Sequence, residues 1–175
     1  MIATFFCLTT IVVFAQDFDI LVKNGHIIDT KNGIDKILDL AIKDGKIAEI
    51  GENIAENRSK RVIIATDLYV SPGLIDIHSH NFFGTEPDAY LSNSFEALPP
   101  DGFSFRAGVT TLVDVGGAGW RNFRTFKKNV IDRSNTRVLS FLNIVGSGMK
   151  GGPIEQNLAD MDPKLTAMVA EQYPE

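Results

Sequence analysis

Hydrophobic and polar positions between residues 18 and 70 follow the short period of β-strands. Asn24-Gly25 and Asp44-Gly45 interrupt this pattern, and both dipeptides are typical of hairpin turns. The predicted strands cover residues 18–23, 26–29, 39–43, 46–51, 61–65 and 68–70. Short strands joined by tight turns favour a small β-sandwich, which we predict for residues 16–70.

After residue 80 the pattern changes to alternating strands and helices. Strands are predicted at residues 71–80, 109–115 and 137–145, and helices at residues 103–107, 120–131 and 165–171. Gly108 is expected to end the first of these helices. Repeated strand-helix-strand units with glycine-rich loops indicate a parallel α/β architecture.

The strand at residues 71–80 ends in two histidines, His78 and His80. Side chains alternate across a strand, so both imidazoles point to one face, and Asp76 lies one step deeper on that face. Neutral imidazole is a common ligand for zinc and similar ions. We therefore predict a metal site here, with Asp76 either orienting a ligand histidine or buried and satisfied by backbone groups.

The position of the histidines decides between two parallel folds. A dinucleotide-binding sheet needs a Gly-x-Gly-x-x-Gly turn after its first strand, and residues 81–84 do not supply one. Metal ligands at the carboxyl end of a strand favour a (β/α)8 barrel. A barrel needs about 250 residues, so residues 71–175 are predicted to form only its first three strand-helix units. We expect this chain to be an inactive N-terminal fragment.

Composition narrows the class of protein. The chain has 175 residues, of which 44% are hydrophobic and 22% charged, so it is long and apolar enough to bury a core. Its net charge is -5 and no basic stripe is present, which argues against nucleic acid as a partner. His26 follows a turn far from the other histidines and is predicted to be a surface or packing residue.

Residues 1–15 carry no charged side chain and are mostly apolar. Their length suits a signal peptide cut after Ala15 and is too short to span a membrane. We therefore predict an exported protein with no membrane association after signal removal. The alternatives are a buried N-terminal strand or a misassigned start.

The nonapeptide at residues 72–80 resembles the first barrel strand of the amidohydrolase superfamily of metal-dependent hydrolases. Residues 19–25 and the turn at 44–47 are similar to the segment that precedes the barrel in that family, and residues 107–114 are similar to its second strand. The continuation through residues 116–119 and 141–144 looks most like the amidohydrolase/deacetylase branch, which is dihydroorotase-like.

The resemblance implies roles for particular residues. His78 and His80 would bind the more buried metal of a one- or two-metal centre, with zinc expected from the ligand type. A carboxylated lysine, two further histidines and a general-base aspartate would lie beyond Glu175, and Lys164 on its predicted helix is not a convincing candidate for the lysine. Position alone suggests four residues that line the substrate pocket: Asn81, Phe82, Asn143 and Ser147.

The implied reaction is hydrolysis of an amide or ester bond in a small N-acyl or O-acyl compound by a metal-activated hydroxide, as in a deacetylase. A cyclic-amide hydrolase of the dihydroorotase or hydantoinase type is the alternative within enzymes. A non-catalytic homologue that only binds is the alternative outside them. The expected partner is a small-molecule substrate. Its exact identity and the oligomeric state, a homo-oligomer included, stay open.

Overall fold

The computed structural model of the chain describes residues 16–93 and 96–174. It divides into two compact units, one ending at Pro72 and one beginning at Gly73. The predicted signal peptide at residues 1–15 lies outside the described residues. Within the described part of the chain, helices of the length and apolarity needed to cross a membrane are absent.

The first unit is built on one mixed sheet of five strands. Its strands are β1 (Phe18–Asp29), β2 (Ile34–Lys43), β3 (Lys46–Gly51), β4 (Ser59–Ile64) and β5 (Tyr69–Val70). The order is β3-β2-β1-β4, and β5 also pairs with β1. The predicted sandwich is not confirmed, because the described residues of this unit form a single sheet.

The predicted hairpin at Asn24-Gly25 is wrong, because β1 runs through both residues. Asn24 has a φ of 57°, and the pairing of β1 with β2 shifts register between Val22 and Gly25, which marks a β-bulge. The Asn24 N–H donates to Asp39 Oδ1 at 2.9 Å instead of to a turn carbonyl. A Cβ on Gly25 would lie 2.5 Å from Val70 Cγ2, so close packing requires this glycine.

The second predicted hairpin is confirmed. Asp44 and Gly45 have φ values of 50° and 70°, and Lys43 pairs with Lys46 across them. Positive φ at both central residues is the requirement of the tight turn that matches strand twist.

The second unit contains a parallel sheet of three strands in the order β6-β7-β8. These strands are β6 (Leu74–Ser79), β7 (Val109–Gly119) and β8 (Arg137–Asn143). The helices are α1 (Pro100–Phe103), α2 (Phe123–Asn129), α3 (Gly152–Glu155) and α4 (Pro163–Gln172). The predicted parallel α/β arrangement is confirmed for this unit.

Several element boundaries differ from prediction. β7 continues to Gly119 because that residue still pairs with Asn143 of β8. α4 begins at Pro163, earlier than predicted, because the Asp162 side chain caps it by accepting the N–H groups of the next turn. The helix predicted at residues 103–107 is a 3-10 helix at Phe105–Ala107 that follows α1, and Gly108, with a φ of 72°, ends it as predicted.

The core of the second unit is aromatic and packs around α2. It consists of Phe82, Ala118, Phe123, Phe126, Val130 and Val138. The Phe82 and Phe126 ring centroids are 4.9 Å apart. Because Phe82 follows β6 by only three residues, this packing anchors the chain directly after the histidine pair.

Candidate metal centre

The structure brings His78 and His80 together at the carboxyl end of β6. Their ring centroids are 5.7 Å apart and the ring planes are nearly perpendicular, at 84°. His78 is exposed and His80 is half-buried. Both rings line a cavity of about 790 Å³.

The spacing of the two rings suits a shared ion. Two imidazoles bound to one zinc ion through nitrogens at about 2.0–2.1 Å have ring centroids roughly 5 Å apart. Within the described residues, no three His, Cys, Asp or Glu side chains are placed so that they could hold one metal ion together. The pair therefore fits as two ligands of a divalent ion, and a structural tetrahedral site needs about four.

Asp76 supports the backbone of this strand end rather than a ring. Its Oδ1 accepts the backbone N–H of His78 at 3.0 Å. Pairing of β6 with β7 shifts register between Asp76 and Ser79, where this side-chain hydrogen bond is made. The carboxylate also lines the cavity that the two histidines share.

Asn81 is 3% exposed and lines the same cavity. Its Nδ2 donates to the Leu98 carbonyl at 3.1 Å, and its Oδ1 accepts from the Ser79 hydroxyl at 2.7 Å. These two bonds tie β6 to the far end of the loop that follows it. Asn81 thus shapes the cavity wall and connects it to the sheet.

The other three predicted pocket residues lie elsewhere. Phe82 is 2% exposed and its ring belongs to the aromatic core, so it is absent from the wall of the large cavity. Asn143 Nδ2 donates to the Gly116 carbonyl at 3.3 Å, and the Ser147 carbonyl accepts from Asn122 Nδ2 at 2.9 Å. Neither Asn143 nor Ser147 lines that cavity, although Asn143 is the last residue of β8 and Ser147 follows the strand.

Asp114 is a buried carboxylate beside the site, and the sequence pattern predicts no role for it. Its side chain is fully buried, and it accepts backbone N–H groups from Asn81 at 2.6 Å, Phe82 at 3.3 Å and Gly117 at 2.6 Å. Burial raises the pKa of Asp114, while the three donors and the nearby His80 oppose that rise. A single acid in an apolar strand that ends in glycines was the available signal.

The long loop after β6 also reaches the site. Asn93 is 3% exposed, and its Nδ2 donates to the Gly117 carbonyl at 3.2 Å. Glu96 lines both the large cavity and a small one of about 10 Å³, which His80 and Asp114 also line. An irregular loop has no periodicity, so sequence patterns could not select these two residues.

Comparison with known proteins shows which proteins the chain is similar to. No protein-family model matches the chain. A deacetylase of Enterococcus faecalis is 31% identical over 161 residues, which are 91% of this chain and 39% of the relative. A deacetylase of Agrobacterium fabrum is 34% identical over 106 residues, which are 61% of this chain and 24% of the relative.

A solved dihydroorotase structure superposes with a TM-score of 0.75 at 27% identity, covering 89% of this chain and 40% of that structure. Together with the histidine pair, these similarities place the chain in the amidohydrolase superfamily. Its relatives within the superfamily carry the names deacetylase and dihydroorotase. The chain spans between 24% and 40% of the length of these proteins.

Proposed function

We propose that the protein is a metal-dependent hydrolase that cleaves an amide or ester bond in a small N-acyl or O-acyl compound. The observation that carries this proposal is the pair His78 and His80 at the carboxyl end of a parallel strand, whose ring centroids are 5.7 Å apart. The deacetylase relatives, aligned with up to 91% of the chain, support it. The activity of the whole protein is part of the proposal, because these residues are a fraction of the relatives' length.

The residues at the site would have different roles in the reaction. His78 and His80 would hold a divalent ion through neutral imidazole nitrogens, and Asp76 steadies the His78 backbone. A divalent ion bound there would lower the pKa of a water molecule and polarise a carbonyl group, the chemistry that hydrolysis needs near neutral pH. Leu91, Leu98 and other apolar residues of the cavity would exclude bulk water and face the acyl part of a substrate.

One or two ions per chain are proposed, with zinc as the first choice. Imidazole suits zinc, copper, iron and nickel, whereas magnesium and calcium prefer oxygen ligands. Two histidines therefore favour a transition metal.

Metal analysis of the full-length protein tests this proposal. We expect one or two bound transition-metal ions per chain and hydrolysis of N-acetyl or O-acetyl compounds. His78→Ala or His80→Ala should each lower metal affinity and activity by about a hundredfold or more, because each removes a direct ligand.

His26→Ala is the matched control for these variants. His26 lies in the first unit, where its Nε2 pairs with Asp35 at 2.6 Å and its ring lies 5.0 Å from that of Tyr69. This variant should keep its metal and its activity. A metal-free wild type, or His78 and His80 variants that keep full metal content, would contradict the proposal and favour a homologue that only binds.

A cyclic-amide hydrolase is the second candidate. The fold similarity to a dihydroorotase, with a TM-score of 0.75, supports it. Comparing turnover of cyclic amides with that of N-acetyl compounds separates the two, since each candidate predicts a preference of at least about tenfold for its own class.

Export is the part of the proposal that depends on the N-terminus. It is supported by the absence of charge in residues 1–15. The mature protein would begin at Gln16 and act on a small-molecule substrate outside the cytoplasm.

A further inference from the structure

Asp114 lies at the carboxyl half of β7, beside the end of β6. Its side chain is fully buried. Burying an isolated carboxylate is unfavourable unless hydrogen-bond donors compensate for the lost hydration. The donors here are three backbone N–H groups, and two of them belong to Asn81 and Phe82, the residues that directly follow His80.

The two carboxylate oxygens hold different segments. Oδ2 accepts from Asn81 and Phe82, while Oδ1 accepts from Gly117 at 2.6 Å. One side chain therefore holds the chain that leaves β6 against Gly117, near the carboxyl end of β7. The backbone that carries His80 cannot shift without stretching these bonds.

Asp114 also faces His80. Both residues line the cavity of about 10 Å³. A cavity of that size holds about one water molecule at most, so little solvent can screen the carboxylate from the imidazole. A negative charge on the Asp114 carboxylate, which lines the same small cavity as His80, favours a cation bound to the ring.

We propose that Asp114 is a positioning residue for the metal centre, one that sets the backbone and the electrostatic environment of His80. This inference rests on the proposed function, since it assumes that His80 is a metal ligand. A purely structural role would lower stability without changing metal affinity.

Two substitutions alter Asp114 in different ways. Asp114→Asn removes the charge and replaces one acceptor oxygen by an NH₂ group. This group would then lie against a backbone N–H, which is also a donor, so that hydrogen bond is lost. Gly117→Ala keeps the charge but places a Cβ 2.8 Å and 2.9 Å from the two carboxylate oxygens, so the carboxylate must move. The second variant keeps the inference testable if the first does not fold.

Asp39→Asn is the matched control. Asp39 is 2% exposed and lies in the first unit. Its carboxylate accepts the backbone N–H groups of Asn24 and Ile54 and the ammonium group of Lys23. The control therefore removes a buried, hydrogen-bonded charge without touching the histidine strand.

The measurement is the zinc affinity of the metal-free full-length protein, by competition with a chromogenic chelator, together with the melting temperature of each metal-free variant. We expect Asp114→Asn and Gly117→Ala to weaken zinc binding by about tenfold to a hundredfold. Asp39→Asn should change it by less than about twofold even where its melting temperature falls equally.

Zinc affinities of the Asp114 and Gly117 variants equal to that of the wild type would overturn the inference. An equal loss in the Asp39 control would also overturn it, because the effect would then follow stability alone. A wild type that binds no metal would instead remove the proposed function, and the inference with it.

Discussion

Asp101 joins the start of α1 to the segment that enters β8. Its two oxygens accept four hydrogen bonds, from the backbone N–H groups and the side chains of Asn135 and Thr136, at distances of 2.8–2.9 Å. Burial opposes ionisation of this carboxyl, but the four donors outweigh it and lower its pKa to about 2. The folded protein therefore favours the charged form of Asp101.

The lowered pKa of Asp101 predicts that the stability of the protein depends on pH. Because the folded pKa of about 2 lies below the ordinary 3.8, the contribution of Asp101 to stability is complete above 3.8 and is lost as the pH falls through about 2. Asp101→Asn should lower the free energy of unfolding by about 1–3 kcal/mol at pH 7. Melting temperatures of both proteins between pH 2 and 7 check this. A difference that stays constant down to pH 2 would contradict it.

At the scale of elements, α2 owes its stability to packing. It has seven residues, and helices shorter than about 12 residues are marginal in water on their own. Phe123 and Phe126, three positions apart on one face, are 3% and 0% exposed. Their rings form a T-shaped pair with centroids 6.2 Å apart. The helix is therefore stable only where this face meets the core around Phe82.

Phe126→Ala should lower the free energy of unfolding by about 3–5 kcal/mol, because it opens a cavity in the centre of this core. Phe105→Ala is the control, since Phe105 is 48% exposed and should cost less than about 1 kcal/mol. Urea denaturation of the three proteins measures both values. Equal losses would show that the aromatic core does not depend on Phe126.

At the scale of the whole molecule, the export proposal predicts a defined N-terminus. Protein recovered outside the cytoplasm should begin at Gln16, and mass spectrometry of the intact chain would show it. Val12→Arg places a charge in the apolar run and should retain the protein in the cytoplasm with its first fifteen residues attached. Unprocessed wild-type protein in the cytoplasm would contradict the proposal.

Local patterns were sufficient for several features of the fold and site. Alternation along a strand is a property of backbone geometry, so the shared face of His78 and His80 followed from their spacing. The turn at Asp44-Gly45 and the helix end at Gly108 followed from the positive φ that these residues tolerate. In each case the interaction that decides the structure lies within a few residues along the chain.

Other features depended on partners distant in sequence. Asn24-Gly25 became a bulge because Asp39, fifteen residues away, binds the Asn24 N–H, and because Val70 packs against Gly25. Phe82 lies in the core because its ring packs against that of Phe126 in α2. Asp114 lies beside His80 because β6 and β7 pair, and two of its three donors lie 32 and 33 residues earlier in the chain. Such contacts form through tertiary packing, so the secondary-structure propensities of neighbouring residues cannot predict them.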